Sequence, residues 1–337
     1  MMSGYTTCIL LVWLNVILRI AVSAPPDHGG KCTLEYEKIT PLMSNITAFG
    51  EDLGIINHGK SSTVRLFRTA SSPQLYAVKQ FGPVSLIRSD REDAEACIKL
   101  EYRLSKIASG LDGVADVGNL LHDPQAGLWW ITSVYQHRSL ASEIHNFRTS
   151  DVERLAYELV KAIHGMHLRG IVFNDVKLEN VLLDAEGRAL LIDFGSASFA
   201  GCMESTVAIN VKPCGGHTPP YASPQAWESH TYNRLRNDVW SLGILLYVLS
   251  TKEMPWKVAT NESLAWCRFA GIPDGLRSTC ITPGAFGDTP EPTCSLHGLP
   301  RAHEVPGRLQ GVIWGFLEIE EHRRLTTGAA LIMLQGG

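Results

Sequence analysis

The sequence predicts an α+β fold in two lobes, a smaller strand-rich one followed by a mainly helical one. Three observations carry this. Alternating β-branched and polar residues fill the stretch between residues 46 and 80, helical apolar spacing dominates beyond residue 150, and strands and helices do not alternate as strict β-α-β units. At 337 residues and 45% apolar content, the chain is long enough for one large two-lobed unit and too apolar for a disordered tail. A net charge of −4 without any long basic run argues against a nucleic-acid partner.

The N-terminus reads as an address. Cys8–Leu18 is an apolar run of 11 residues, followed by the small residues Ala21–Ala24 and then Pro25-Pro26. A membrane span needs about 20 apolar residues, so residues 1–24 read as a cleaved signal peptide and no stable transmembrane span is expected afterwards. Residues 25–47 read as a leader. Cleavage removes Cys8 and leaves seven cysteines, an odd number that implies a free or intermolecular thiol in an oxidising compartment. A bridge among Cys267, Cys280 and Cys294 would restrain the chain around them; a buried free Cys97 is the plain alternative for its helix, and the sequence assigns no pairing. Asn45-Ile46-Thr47 and Asn261-Glu262-Ser263 permit glycosylation.

Thr63–Arg68 alternates as a strand, Ala70–Pro73 turns, and Leu75–Lys79 resumes the strand. Residues 91–108 form a charged helix and Leu128–Thr132 a buried strand. The clearest helix covers 151–168, with Ser150 and Glu153 as its capping box and Val152, Leu155, Ala156, Leu159, Ile163 and Met166 on one face. Val181–Leu183 and Ala189–Ile192 are short strands joined by a turn at Asp184–Gly187. Helices follow at 238–250 and 308–319. Between them, residues 271–307 hold six glycines and six prolines, the composition of an irregular insertion.

Two phosphate-binding readings compete near the start. Gly54–Ser61 satisfies the G-x-x-x-x-G-K-S pattern, and Leu190–Asp193 could serve as its partner strand. That motif must open a helix whose N-terminal N–H groups hold the phosphates. Ser62–Phe67 is strand chemistry instead, so this reading fails on context.

A second set of motifs is far more specific. Asp175-Val176-Lys177-Leu178-Glu179-Asn180 is followed, thirteen residues after Asn180, by Asp193-Phe194-Gly195 across a predicted strand hairpin. Together with Tyr76-Ala77-Val78-Lys79, this resembles the protein kinase superfamily of the Ser/Thr type. The resemblance extends through His217–Gln225, Asp238–Gly243, Met254-Pro255-Trp256 and Arg324, covering about residues 48–335. It implies a bilobal kinase fold over 48–337, with an N-lobe of about 48–135 and a C-lobe of about 136–337. It further implies ATP and Mg2+ as cofactors and a protein substrate; it sets no oligomeric state. By resemblance, Asp175 orients or accepts the substrate hydroxyl proton and Lys177 steadies the transferring phosphate. Asn180 and Asp193 hold magnesium, which prefers such oxygen ligands. Lys79 contacts the α- and β-phosphates and pairs with Glu101, which fits the family's helix better than Glu95. Gly59, Val64, Ala77, Thr132, Val134 and Leu182 complete the implied nucleotide contacts, with Val64, Ala77 and Leu182 around the adenine.

The departures are specific. Asn57, Gly59 and Ser62 stand where the family has three glycines. Phe173 replaces the histidine of the catalytic loop and is expected to stack with Phe194. Asn174 replaces the arginine that pairs with a phosphorylated activation loop, so activity is expected not to depend on that modification. Gln225 replaces the glutamate that pairs with Arg324; Gln225 must accept those hydrogen bonds, or Glu228 stands in. The signal peptide, the atypical glycine loop and the Cys-bearing insertion are together similar to secreted rhoptry-type kinases of apicomplexan parasites. That narrower likeness implies a secretory organelle, then the host cell or parasitophorous vacuole, and host or vacuolar substrates. The alternative to an active enzyme is a pseudokinase scaffold or regulator with weak or no ATP turnover.

Overall fold

Six strands pair into one sheet in the order β1-β5-β6-β4-β3-β2 in the computed structural model, which describes residues 42–43, 46–59, 62–70, 72–82, 91–200, 216–228, 232–271 and 299–335. All of these fall within the unit Glu37–Gly337. The signal-like run, most of the leader and residues 272–298 of the irregular stretch lie outside the described residues, as do Lys60 and Ser61.

The sheet comprises β1 (Leu42–Met43), β2 (Glu51–His58), β3 (Ser62–Arg68), β4 (Leu75–Phe81), β5 (Val117–Asp123) and β6 (Leu128–Val134). All pair antiparallel except β1, which lies parallel to β5. Helix α1 (Arg91–Ala108) covers one face, burying Ala94 and Ile98 against Phe81, Val117, Leu120, Trp129 and Ile131. Phe67, Val78, Leu121 and Trp130 form a separate cluster. This is the small lobe that the alternation of Thr63–Arg68 and Leu75–Lys79 predicts. Strand β5 was not legible, because its pairing with β6 is irregular between Val117 and Leu120 and its apolar residues do not alternate.

Beyond β7 (Arg138–Ser139), the protein is dominated by helices: α2 (Leu140–Glu143), α3 (Thr149–Leu168), α4 (Pro224–Glu228), α5 (Arg234–Thr251), α6 (Leu264–Phe269), α7 (Gly307–Phe316) and α8 (Thr327–Gln335). Helix α3 starts earlier than Ser150 predicts. Its cap is the backbone N–H of Arg148 donated to Asp151 Oδ2 at 3.1 Å, so the expected Ser150/Glu153 box is replaced by an acidic first turn. Helix α5 is opened by Asn233, whose side chain accepts the Arg236 N–H at 3.1 Å, and ends at Lys252 with φ 65°. Nearly every α5 residue from Asn237 to Thr251 is buried, as befits the central helix of a core. Trp240 from this helix meets Trp256 and Trp266 with ring centroids 6.0 and 5.8 Å away. Truncating such a side chain costs about 3–5 kcal/mol.

Between these helices sit β8 (Ile171–Val172), β9 (Val181–Leu183), β10 (Ala189–Leu191) and β11 (Ser198–Phe199). β9 pairs with β10 and β7, and β11 with β8. The two short pairings hold the loops that carry Asp175 and Asp193. The expected turn between β9 and β10 forms around Asp184 Oδ1, which accepts the N–H groups of Glu186 and Arg188 at 3.0 and 2.8 Å. Of the described cysteines, Cys97 is disulfide-bonded rather than free, and Cys267 is a buried free thiol; a bridge through Cys267 therefore does not form. Among the described residues, no helix is long and apolar enough to cross a membrane.

Candidate active site

Lys79 bridges the sheet, α1 and the loop after β10. Its Nζ donates to Glu101 Oε1 at 2.7 Å and to Asp193 Oδ1 at 2.6 Å. Burial opposes the lysine's charge, but the two carboxylates outweigh it and hold its pKa above the ordinary value. Burial raises the Glu101 pKa in spite of Lys79. Asp193 meets the same opposition from burial, yet Lys79 and the Gly195 N–H hold it below the usual carboxylate range. The cluster is tight: a Cβ on Gly195 would come within 3.0 Å of Asp193 Oδ1 and 3.2 Å of Glu101 Oε2. Asp193 itself has φ 66°, a costly conformation for a non-glycine residue.

Cross-strand partners share a face of a sheet. Val64, Lys79 and Ile131 stand opposite one another, as do Leu66, Ala77 and Ser133. Val64 and Ala77 therefore occupy the Lys79 face. Thr132 and Val134 pair with Val78 and Tyr76 and fall on the other face. The side chains of these two expected nucleotide contacts therefore point away from the Lys79 face. Thr132 is buried and its hydroxyl accepts the Asn119 N–H at 2.8 Å. Ile131 and Ser133 stand on the Lys79 face instead, a one-residue difference that strand composition cannot fix. Gly59 closes the β2–β3 hairpin by donating its N–H to Ser62 O at 2.8 Å. The strand that follows confirms that the Gly54–Ser61 motif opens no helix. Leu182 is half-buried between the buried Val181 and Leu183, which places it on the side of β9 away from the helical core.

The loop between β8 and β9 is fixed from below by Asp238 of α5. This fully buried carboxylate accepts the N–H groups of Phe173 and Asn174 at 2.8 and 2.7 Å, and lies 3.0 Å from His167 Nε2. Phe173 meets Phe194 edge-on, with centroids 5.2 Å apart, in place of the expected histidine. Asp175 is then held by three side chains. Lys177 Nζ donates to its Oδ2 at 2.5 Å, Asn180 Nδ2 to the same oxygen at 3.0 Å, and the Thr218 hydroxyl to Oδ1 at 2.6 Å. Lys177 also donates to Thr218 Oγ1 at 3.1 Å, which closes the triangle.

The donor set suits a hard cation. Both bonds of Asn180 Nδ2 go to Asp175, and among the described residues neither Asn180 Oδ1 nor Asp193 Oδ2 accepts a hydrogen bond. Those two oxygens would hold magnesium. Farther out, Arg324 is buried and donates to Gln225 Oε1 at 3.0 Å and to the carbonyls of Glu318, Arg236 and Ile319. Gln225, not Glu228, answers the guanidinium. Burial pulls the Arg324 pKa down to about 10, against the opposing charges of Glu321, Glu318 and Glu320.

A protein kinase domain model matches residues 51–333. The chain is 25% identical over 213 residues to protein kinase C of Drosophila melanogaster, covering 62% of this chain and 28% of that protein. It is 28% identical over 239 residues to sperm motility kinase 2A of Mus musculus, covering 66% and 42%. It is 38% identical over 117 residues to the serine/threonine-protein kinase CHK1 of Saccharomyces cerevisiae, covering 34% and 22%. The chain thus spans between about a quarter and two-fifths of these curated relatives' lengths.

Proposed function

Because this chain belongs to the protein kinase family, we propose that it is an active enzyme that transfers the γ-phosphate of ATP to serine or threonine hydroxyls of proteins. The observation that carries the reading is the triangle of Asp175, Lys177 and Thr218 beside the oxygen pair of Asn180 and Asp193. The substrate hydroxyl oxygen attacks the γ-phosphorus, its proton passes to Asp175, and the bond to the β–γ bridging oxygen breaks to release ADP. Lys177 offsets charge on the transferring group, and Lys79, held by Glu101, grips the α- and β-phosphates. Magnesium, when bound at Asn180 and Asp193, would neutralise phosphate charge. Val64, Ala77 and Leu182 supply the apolar walls for the adenine.

The secretory location belongs to the same proposal. It rests on the apolar run Cys8–Leu18 and the small residues after it, and Cys97 in a disulfide agrees with an oxidising compartment. The rhoptry-type likeness, with host or vacuolar substrates, rests on that address and on the unusual glycine loop. A second reading, a scaffold with weak ATP turnover, is favoured by one observation: a single glycine, Gly59, at the three positions that cover the phosphates. Transfer of labelled γ-phosphate to a generic protein acceptor, with Asp193→Ala as control, separates the two. The enzyme reading expects transfer well above the control; equality with the control leaves the scaffold.

A further inference from the structure

Asn174 does more than fill the place of an absent arginine. It lies between Phe173, whose ring meets Phe194, and Asp175. It is buried and has φ 63°. Its backbone N–H donates to Asp238, while its side-chain Nδ2 turns the other way. That amide donates to Ser196 O at 2.8 Å and to Ser198 Oγ at 2.9 Å, three and five residues beyond Asp193. Its Oδ1 is buried without a partner among the described residues. The side chain's contribution therefore comes from its two N–H bonds, which are made in spite of an unpaired acceptor.

We propose that the Asn174 carboxamide is a positioning residue that holds the Asp175 loop in register with the Asp193 loop, so that base and metal ligand are aligned without any phosphate. The inference rests on the kinase reading and names a device within that site. The β8–β11 pairing sets Ser198 opposite Val172, and the amide ties the two loops where that pairing ends. Both bonds join neutral groups, and the one to Ser198 is buried, so neither draws on a charge elsewhere in the chain.

A backbone role alone makes a different prediction, because glycine adopts a positive φ more readily than asparagine. Asn174→Gly keeps the backbone conformation and deletes only the amide; Ser198→Ala deletes one acceptor. Initial rates of phosphate transfer by the full chain, at varied ATP and with or without phosphatase treatment, are compared with thermal midpoints for both variants and their double. Misplacing reacting groups by a fraction of an ångström is expected to lower kcat about ten-fold or more in Asn174→Gly, with KM for ATP within about two-fold of wild type. Ser198→Ala loses less, and the double variant no more than Asn174→Gly alone. Wild-type rates are unchanged by phosphatase. Wild-type kcat in Asn174→Gly, or losses that simply add in the double, overturns the positioning role while leaving the kinase reading intact. No transfer by the wild type overturns that reading, and this inference with it.

Discussion

The Thr218 hydroxyl donates to Asp175 Oδ1 at 2.6 Å while accepting from Lys177 Nζ at 3.1 Å. One short side chain thus fixes both the carboxylate proposed to accept the proton and the lysine proposed to face the transferring group. It reaches them from a segment more than 40 positions away in sequence.

Removing that hydroxyl should loosen both groups. Thr218→Ala is expected to lower kcat about ten-fold with little change in KM for ATP, and Thr218→Ser to restore most of it. Steady-state rates of the two variants check this. Equal losses in both would move the effect to the methyl group's packing.

Arg324 is buried on Trp240, with its guanidinium 4.9 Å from the ring centroid, and donates to one side-chain oxygen and three carbonyls. Arg324→Ala strips those acceptors and leaves a void, at a cost on the order of 3 kcal/mol. Gln225→Glu should change stability little. It adds charge opposite the guanidinium but loses the Gln225 Nε2 bond donated to Ile319 O at 2.7 Å. Denaturant midpoints of both variants provide the measurement; a Gln225→Glu gain as large as the Arg324→Ala loss would contradict this balance.

The fold should lose stability in mild acid through His164 and His217. Burial lowers both pKa values below 6.5, aided at His164 by His167 and opposed at His217 by Asp175. Between each folded value and 6.5, the unfolded chain binds more protons than the native one. The stabilisation is therefore present above 6.5 and is lost as pH falls through the folded values. Urea midpoints at about pH 7.5 and about pH 5.5 report it, and His164→Asn should shrink the difference. An unchanged difference in that variant removes His164 from the account.

Most of the site was legible because its chemistry depends on short spacings. Asp175, Lys177 and Asn180 lie within six residues, and Lys79 and Glu101 bracket one strand and one helix, so residue type and position sufficed. Two features were not legible. The faces of Thr132 and Ile131 depend on pairing with β4, which local composition does not set. The role of Asn174 depends on Ser196 and Ser198, which reach it through the β8–β11 contact and not through sequence proximity. The start of α3 is hidden for a related reason: Ser150 is a better cap by type, but Asp151 captures the Arg148 N–H.

The signal-peptide proposal is tested by expressing the whole chain in a secretory host and sequencing the N-terminus of the product. Release after Ser23 or Ala24 is expected. An intact N-terminus on protein retained in the cytosol would contradict the proposed address.

The most direct test of the central claim compares wild type with Asp175→Asn at saturating ATP, followed by phosphoamino-acid analysis of the labelled acceptor. The account predicts phosphoserine or phosphothreonine from the wild type and a loss of about 100-fold or more in kcat for Asp175→Asn, with KM for ATP nearly unchanged. Equal labelling by the two proteins, or none by either, would contradict it.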